Sequence, residues 1–258
     1  NPYRNKLTGM ITLLVSSKTK VHQKLETDFR LNLSVPRFID EAEFLNSKLN
    51  TKTSEELQKL MHVSKKLSLE IQDKIEKWRP KDGTPAWLLF SGDLYKGLEA
   101  RTLNRQDFEF AQKKFQTLSG LYGILRPLDI IQPYRLELGY KLKVGNKDNL
   151  YQYWNNKVAK SLPTDDIILN LSSEEYIKVI RPFVEEGRII TPHFLQTRGD
   201  DTKFEAIHAK IARGKMARWI IKNRIDEVGL IKDFKEEGYS FVEEHSTELR
   251  PVFVRKIC

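Results

Sequence analysis

The chain has 258 residues, of which 40% are hydrophobic and 10% aromatic, enough to bury one continuous core without disulfide or metal staples. Its 44 Lys and Arg against 35 Asp and Glu leave a formal net charge of +9, a balance that favours an anionic partner such as nucleic acid or a nucleotide. A single cysteine, Cys258, excludes an internal disulfide and a cysteine-built metal site and fits a reducing cytosol, and no apolar run reaches the length of a membrane span.

Residues 1–9, NPYRNKLTG, are polar and lack the apolar stretch of a signal peptide. They read as an unusual native extension or an expression remnant, which leaves residues 10–258 as a single domain. MITLLVSS (10–17) has the length and apolar density of a strand. In SEELQKLMHVSKKLSLEIQDKIEKW (54–78), Leu57, Leu60, Met61, Leu67, Ile71 and Ile75 recur mostly three or four apart, the period of a helix with one buried face. A strand is expected at PAWLLFSG (85–92) and a helix at RQDFEFAQKKFQTL (105–118). YRLELGYKLKV (134–144) alternates Leu136, Leu138, Tyr140, Leu142 and Val144 with Arg135, Glu137, Lys141 and Lys143, the pattern of a strand with a charged outer face. DIILNLSS (166–173) and RIITPHFL (188–195) read as strands, and SSEEYIKVIRPFV (172–184) and KFEAIHAKIARGKMARWIIKNRI (203–225) as helices. The tail GYSFVEEHSTELRPVFVRK (238–256) reads as a hairpin. Strands alternating with helices predict an α/β fold, a mixed sheet with surrounding helices.

Three apolar runs, LLVSSKT (13–19), LLFSGDLY (89–95) and LNLSSEEY (169–176), give way to serine and then a charged residue. Ligands of open α/β sheets bind outside the carboxyl ends of the strands. Neighbouring ends would therefore gather Ser16, Ser17, Lys18, Ser91, Asp93, Ser172, Ser173 and Glu174 in one polar crevice. The same residue types cap helices, and both readings stand.

LSGLYGILRPLDIIQPYRLE (118–137) poses a second question. After a helix ending at Leu118, Gly120 and Gly123 permit a tight turn whose N–H groups would suit a phosphate, with Arg126 and Arg135 close by and Pro127 and Pro133 stiffening the return. This resembles a helix-hairpin-helix, although two residues, Leu121 and Tyr122, separate the glycines instead of one. A glycine cap with a proline kink is the plainer alternative. Asp129 and Glu137 are either acid/base groups or partners of Arg126 and Arg135.

AKIARGKMARWIIKNR (209–224) carries six basic residues and no acid. Helical spacing sets Lys215, Arg218 and Lys222 on one face and Lys210 and Arg213 on a second, around a stripe of Ala209, Ala212, Met216, Trp219 and Ile220. Gly214 would allow close packing or ligand approach. The basic faces are either solvated or anion-binding. His22, His62, His193, His208 and His245 show no ligand spacing, and RGD (198–200) reads as a turn. No phosphate loop, dinucleotide fingerprint or nucleophile elbow is found, and no catalytic residue, metal or cofactor is assigned.

SSKT (16–19), FSGDLYKGLEA (90–100), FAQKKFQTLSGLYGILRPLDIIQPYRLELG (110–139), LYQYW (150–154), NLSSEEY (170–176) and the basic helix together resemble the YaaA family of peroxide-stress proteins, from Met10 to about Lys256. The usual start of that family reads closer to SPAKT than to SSKT. The resemblance implies a single domain of unusual topology around a positively charged cleft, with a helix-hairpin-helix at LSGLYG. It also implies a role in the response to hydrogen peroxide, in limiting damage from unincorporated iron, and in DNA binding and repair. Carried over, Ser119, Gly120, Leu121, Tyr122, Gly123 and Arg126 would form the hairpin, and Lys18, Arg135, Lys210, Arg213 and Arg218 would be cleft cations.

The leading expectation is a cytoplasmic protein of the peroxide response that grips DNA backbone without reading sequence, since phosphate contacts position a protein but carry no base information. The alternative is an enzyme acting on a small phosphorylated or nucleotide-like substrate in the strand-end crevice of Ser16, Ser17, Asp93, Glu137, Ser172 and Glu174. An iron-handling role fits poorly, because no Cys/His cluster exists.

Overall fold

Strand β1 (Gly9–Val15) is apolar on both faces, with Met10, Ile11, Leu13 and Leu14 no more than 2% exposed. Such a strand needs cover on both sides, which the interior of a parallel sheet supplies. In the computed structural model, which describes residues 9–21, 31–199 and 201–257, β1 is the central strand of a five-stranded sheet. Most of residues 1–9, His22, Asp200 of the RGD turn and Cys258 lie outside the described residues.

The short strand β2 (Thr19–Lys20) follows β1. Helices α1 (Ile39–Asn50), α2 (Ser54–Met61) and α3 (Lys65–Lys77) come next. The single helix expected over 54–78 is thus two: His62 turns left-handed at φ 51°, and the Ser64 side chain caps α3 by accepting from the Leu67 N–H at 3.3 Å. Apolar periodicity ran on through that break because both helices bury the same kind of face. The strand expected over 85–92 is also corrected. It is β3 (Thr84–Pro85), the helical turn α4 (Ala86–Leu89) and β4 (Phe90–Ser91), followed by α5 (Asp93–Leu98). Trp87, Leu88 and Leu89 are buried all round, and a short run of that kind has no period to separate helix from strand.

Helix α6 (Arg105–Lys114) starts in a capping box between Asn104 and Asp107 and stops at Lys114, four residues short of expectation. The chain continues straight into β5 (Phe115–Ser119), which runs parallel to β1 and then reverses into β6 (Gly123–Leu125), antiparallel to β5. The glycine turn therefore joins two strands, and the helix-hairpin-helix reading is corrected to a β-hairpin. Leu118 opposite Ile124 makes the cross-strand pair, and the Ser119 Oγ accepts from the Tyr122 N–H at 3.1 Å inside the turn. β7 (Ile130–Ile131) pairs with β3.

Residues 134–144 form no ladder strand. The alternation expected there survives as burial of Leu136, Leu138, Leu142 and Val144, but the segment is an irregular strap across the hairpin. It passes so close that a Cβ on Gly120 would stand 2.1 Å from the Leu136 carbonyl oxygen. Helices α7 (Leu150–Trp154) and α8 (Lys157–Lys160) lead to β8 (Asp166–Asn170), parallel to β1 on its other side. The short helix α9 (Glu174–Ile177) and strand β9 (Ile189–Ile190) complete the sheet, in the order β6-β5-β1-β8-β9.

A second sheet, order β11-β10-β13-β12, is built from β10 (His193–Arg198), β11 (Asp201–Lys203), β12 (Tyr239–Phe241) and β13 (Val252–Lys256). Its aromatic core stacks Phe194 on Phe253 at 5.4 Å, with Phe234 and Tyr239 edge-on. The run 188–195 is thus split between two sheets, whereas the tail is the antiparallel pair expected. Helix α10 (Ala206–Asn223) crosses α5 at two glycines: a Cβ on Gly97 would meet the Ile211 carbonyl oxygen at 2.2 Å, and one on Gly214 the Leu94 carbonyl oxygen at 1.9 Å. Gly214 therefore serves backbone packing. Among the described residues no helix is long and apolar enough to cross a membrane.

Candidate functional site

The parallel strands β1, β5 and β8 end on the same side of the sheet, bringing Ser16, Ser119 and Ser172 to one edge. Over that edge the 134–144 strap lays Tyr134, Arg135 and Glu137. Tyr134 and Ser119 share a hydrogen bond at 2.7 Å, and the Ser16 hydroxyl lies 3.5 Å from the Tyr176 hydroxyl. Tyr176, from α9, donates to Oε2 of Glu137, a residue only 4% exposed. The other oxygen, Oε1, has no partner among the described residues, and neither does the buried Nε of Arg135. A buried polar atom left unpaired in this way is costly to a fold and marks a place where a ligand or an ordered water belongs.

Lys20 completes the cluster. Its Nζ donates to the Ser17 carbonyl at 2.5 Å and lies 4.1 Å from the ring centre of Tyr134 and 5.6 Å from that of Phe90. Burial pushes this amine down to about 7; the Glu137 carboxylate opposes the shift, and Arg135 and Lys74 reinforce it. Burial, then the neighbouring Glu137, pushes the Tyr176 phenol well above its ordinary value, so it remains a donor. Lys20 lines a cavity of about 60 Å³ with Lys18, Lys74, Trp78, Tyr134 and Arg135. Lys18 also lines an open groove of about 720 Å³, whose walls carry Lys52, Lys59, Lys141, Lys143 and His62 and, among acids, Glu56, Glu137 and Glu175. Among the described residues Lys18, Lys52, Lys59 and Lys141 make no ion pair, and Lys143 reaches only the exposed Asp148 at 3.8 Å.

Other expected site residues have different surroundings. Ser119, Gly120, Leu121, Tyr122 and Gly123 are all buried. Tyr122 accepts from the Trp78 indole N–H at 3.1 Å and the Gln132 N–H at 3.3 Å, and Gly123 packs on Trp154. Arg126 spends its side chain on the buried Asp129, with Nη2 2.9 Å from Oδ1, and on the Val35 carbonyl at 2.9 Å, so it ties down a loop. Arg218 donates to the carbonyls of Leu98 and Glu99 and to the Thr102 hydroxyl, while Lys215 pairs with Glu99 and Glu237 at 3.5 Å. Lys222 and Arg224 both bind Asp107. One basic face of α10 is therefore a structural clamp and not a free surface.

Ser17 donates to the Ser91 carbonyl, Asp93 pairs with Lys96 at 3.1 Å at the start of α5, and Ser172 donates to Asn170 Oδ1 at 2.6 Å. Ser173 precedes α9 without a side-chain cap bond. Glu174 pairs with Arg181 at 3.2 Å and faces the half-buried Arg213, while Lys210, one turn earlier on α10, is exposed. His193 is held below its ordinary value by burial and by Arg250 and Arg213. Lys20, Tyr176, Lys52 and Lys59 escaped the reading of single motifs; only tertiary contact joins them to Glu137 and Lys18. Among the described residues there is no cluster of three or more His, Cys, Asp or Glu able to hold a metal.

Two comparisons bear on this arrangement. The family profile described as Peroxide stress protein YaaA matches residues 10–245. A protein named "UPF0246 protein" from Cupriavidus metallidurans is 39% identical over 237 residues, covering 87% of this chain and 91% of its own. A protein of the same name from Aliivibrio fischeri is 39% identical over 231 residues, covering 86% and 89%.

Proposed function

The chain belongs to the peroxide stress protein YaaA family, and from that membership we propose that it is a cytoplasmic stress-response protein that holds DNA by its phosphate backbone in the lysine groove. The observation that carries this reading is the groove itself, where Lys18, Lys52, Lys59, Lys141 and Lys143 converge on an open channel. Ammonium groups on flexible stems act as point charges toward phosphate, and phosphate contacts carry no base information. Binding is therefore independent of sequence. The grip lies in the groove and the strap beside it, with Arg135 and Lys18 at the junction, and not in the buried 119–123 turn.

Fluorescence anisotropy with two labelled duplexes of unrelated sequence tests it. The two affinities should agree within about twofold, and Lys59→Ala/Lys143→Ala should weaken both together. Affinities about a hundredfold apart, or a variant indistinguishable from wild type, would contradict it. A second reading, an enzyme acting on a small phosphorylated substrate, draws support from the unpaired Glu137 Oε1 and Arg135 Nε beside Lys20.

A further inference from the structure

We propose that Lys20 is an amine nucleophile that forms a Schiff base with an aldehyde on a phosphate-bearing sugar, either free or as the ring-opened residue of an abasic position in a DNA strand. The proposal rests on the groove reading for delivery of the phosphate, and the groove reading does not depend on it.

The geometry is that of an activated lysine. A lysine desolvated among apolar groups or set beside other cations loses its proton near neutral pH and becomes nucleophilic. Lys20 meets both conditions, with the Tyr134 and Phe90 rings around its amine and Arg135 and Lys74 acting on it. Lys20 is only half-buried, and the exposed Lys18 lines both its small cavity and the lysine groove. About 60 Å³ holds a few water molecules, room for a carbonyl carbon and its substituents but not for a base. The phosphate carried on the same sugar would stay among the groove lysines.

The neighbouring groups supply proton transfer. The neutral amine adds its lone pair to the carbonyl carbon, and one proton passes from the nitrogen to the carbonyl oxygen to give a neutral carbinolamine. The nitrogen lone pair then closes the C=N bond as the hydroxyl leaves with a second proton as water, and the nitrogen gives up its remaining proton to the acid/base group. In sum, amine and aldehyde give imine and water. Glu137 is the acid/base for these transfers: Oε2 is fixed by the Tyr176 hydroxyl, while Oε1 is unpartnered among the described residues. The unpaired Arg135 Nε is a donor for a sugar hydroxyl or phosphate oxygen.

The test is reductive trapping on the intact protein. Cyanoborohydride is added with a duplex bearing one abasic position, with the same duplex undamaged, or with free deoxyribose 5-phosphate. Products are mapped by peptide mass spectrometry, and affinity for the undamaged duplex is measured in parallel. The expected result is a one-to-one adduct on Lys20 with an aldehyde substrate and none with undamaged DNA. Its yield should rise through about pH 7 and fall at least about tenfold in Lys20→Met. Trapping of the abasic duplex alone assigns the strand as source, and trapping of the free sugar phosphate alone assigns the small molecule. An adduct spread over exposed lysines such as Lys18 or Lys59, or no adduct from folded protein, overturns the proposal. If undamaged DNA still binds in that case, the groove reading stands; a Lys20 adduct without any DNA binding sinks the groove reading instead.

Discussion

Lys20 and Glu137 set the behaviour of the site, and each leaves a measurable mark on stability. The Lys20 amine has a folded value near 7 against an ordinary 10.5, so between those values the unfolded chain binds the extra proton. Wild-type stability gains from this group as pH rises through that window, and below about 7 the full burden of burying the charge is present. Lys20→Met removes the burden. It should raise the melting temperature most at pH 6, with the gain shrinking toward pH 10, as followed by circular dichroism. A gain that ignores pH would contradict the assignment. Tyr176→Phe removes the hydroxyl that Glu137 accepts and leaves a buried carboxylate oxygen bare. Chemical denaturation should show a loss of about 1–3 kcal/mol. At this scale the sequence was half legible. Ser16, Arg135 and Glu137 stand in motifs whose composition invites attention, but Lys20 and Tyr176 become chemistry only because two chain segments meet at a sheet edge. Arg126 pairs with Asp129, the partner its three-residue spacing offered, whereas Lys215 and Arg218 looked like free cations and are bound to partners that no local pattern gives.

Elements with a clean period were readable, and those governed by packing were not. β1, β8, α10 and the tail hairpin follow directly from apolar density and helical spacing. The glycine turn at 120–123 misled because glycine spacing marks a sharp reversal without saying what it joins. The strand β5 contributes that answer through its pairing with β1, a contact across about a hundred residues. The α5–α10 crossing is a second such case. Gly214 sits inside a helix where alanine would gain about 1 kcal/mol in propensity, yet its Cβ would overlap the Leu94 carbonyl oxygen at 1.9 Å. Gly214→Ala should therefore lower stability by about 2 kcal/mol or more in urea denaturation, because the helices must separate. An unchanged or higher midpoint would show that the two backbones are not in that contact.

The whole molecule carries its charge unevenly in effect. Much of the basic excess on α10 is tied up in ion pairs with Glu99, Glu237 and Asp107, whereas the groove sets five lysines against three acids, Glu56, Glu137 and Glu175, and among the described residues four of those lysines make no ion pair. The net charge of +9 favours an anionic partner, and the lysine cluster proposed to hold it is visible only in the fold, since Lys18, Lys52, Lys59, Lys141 and Lys143 lie on separate segments. Counterion release makes that location measurable. If each of the five groove lysines neutralises one phosphate, log K against log salt has a slope of about −4.5, and Lys59→Ala/Lys143→Ala makes it shallower by about 1.8. The most direct measurement is this slope for duplex DNA, taken for wild type, for the groove variant and for Arg218→Ala. The account predicts a steep slope, a clear reduction in the groove variant and wild-type behaviour for Arg218→Ala. A flat slope, or a reduction caused by Arg218→Ala and not by the groove variant, would contradict it.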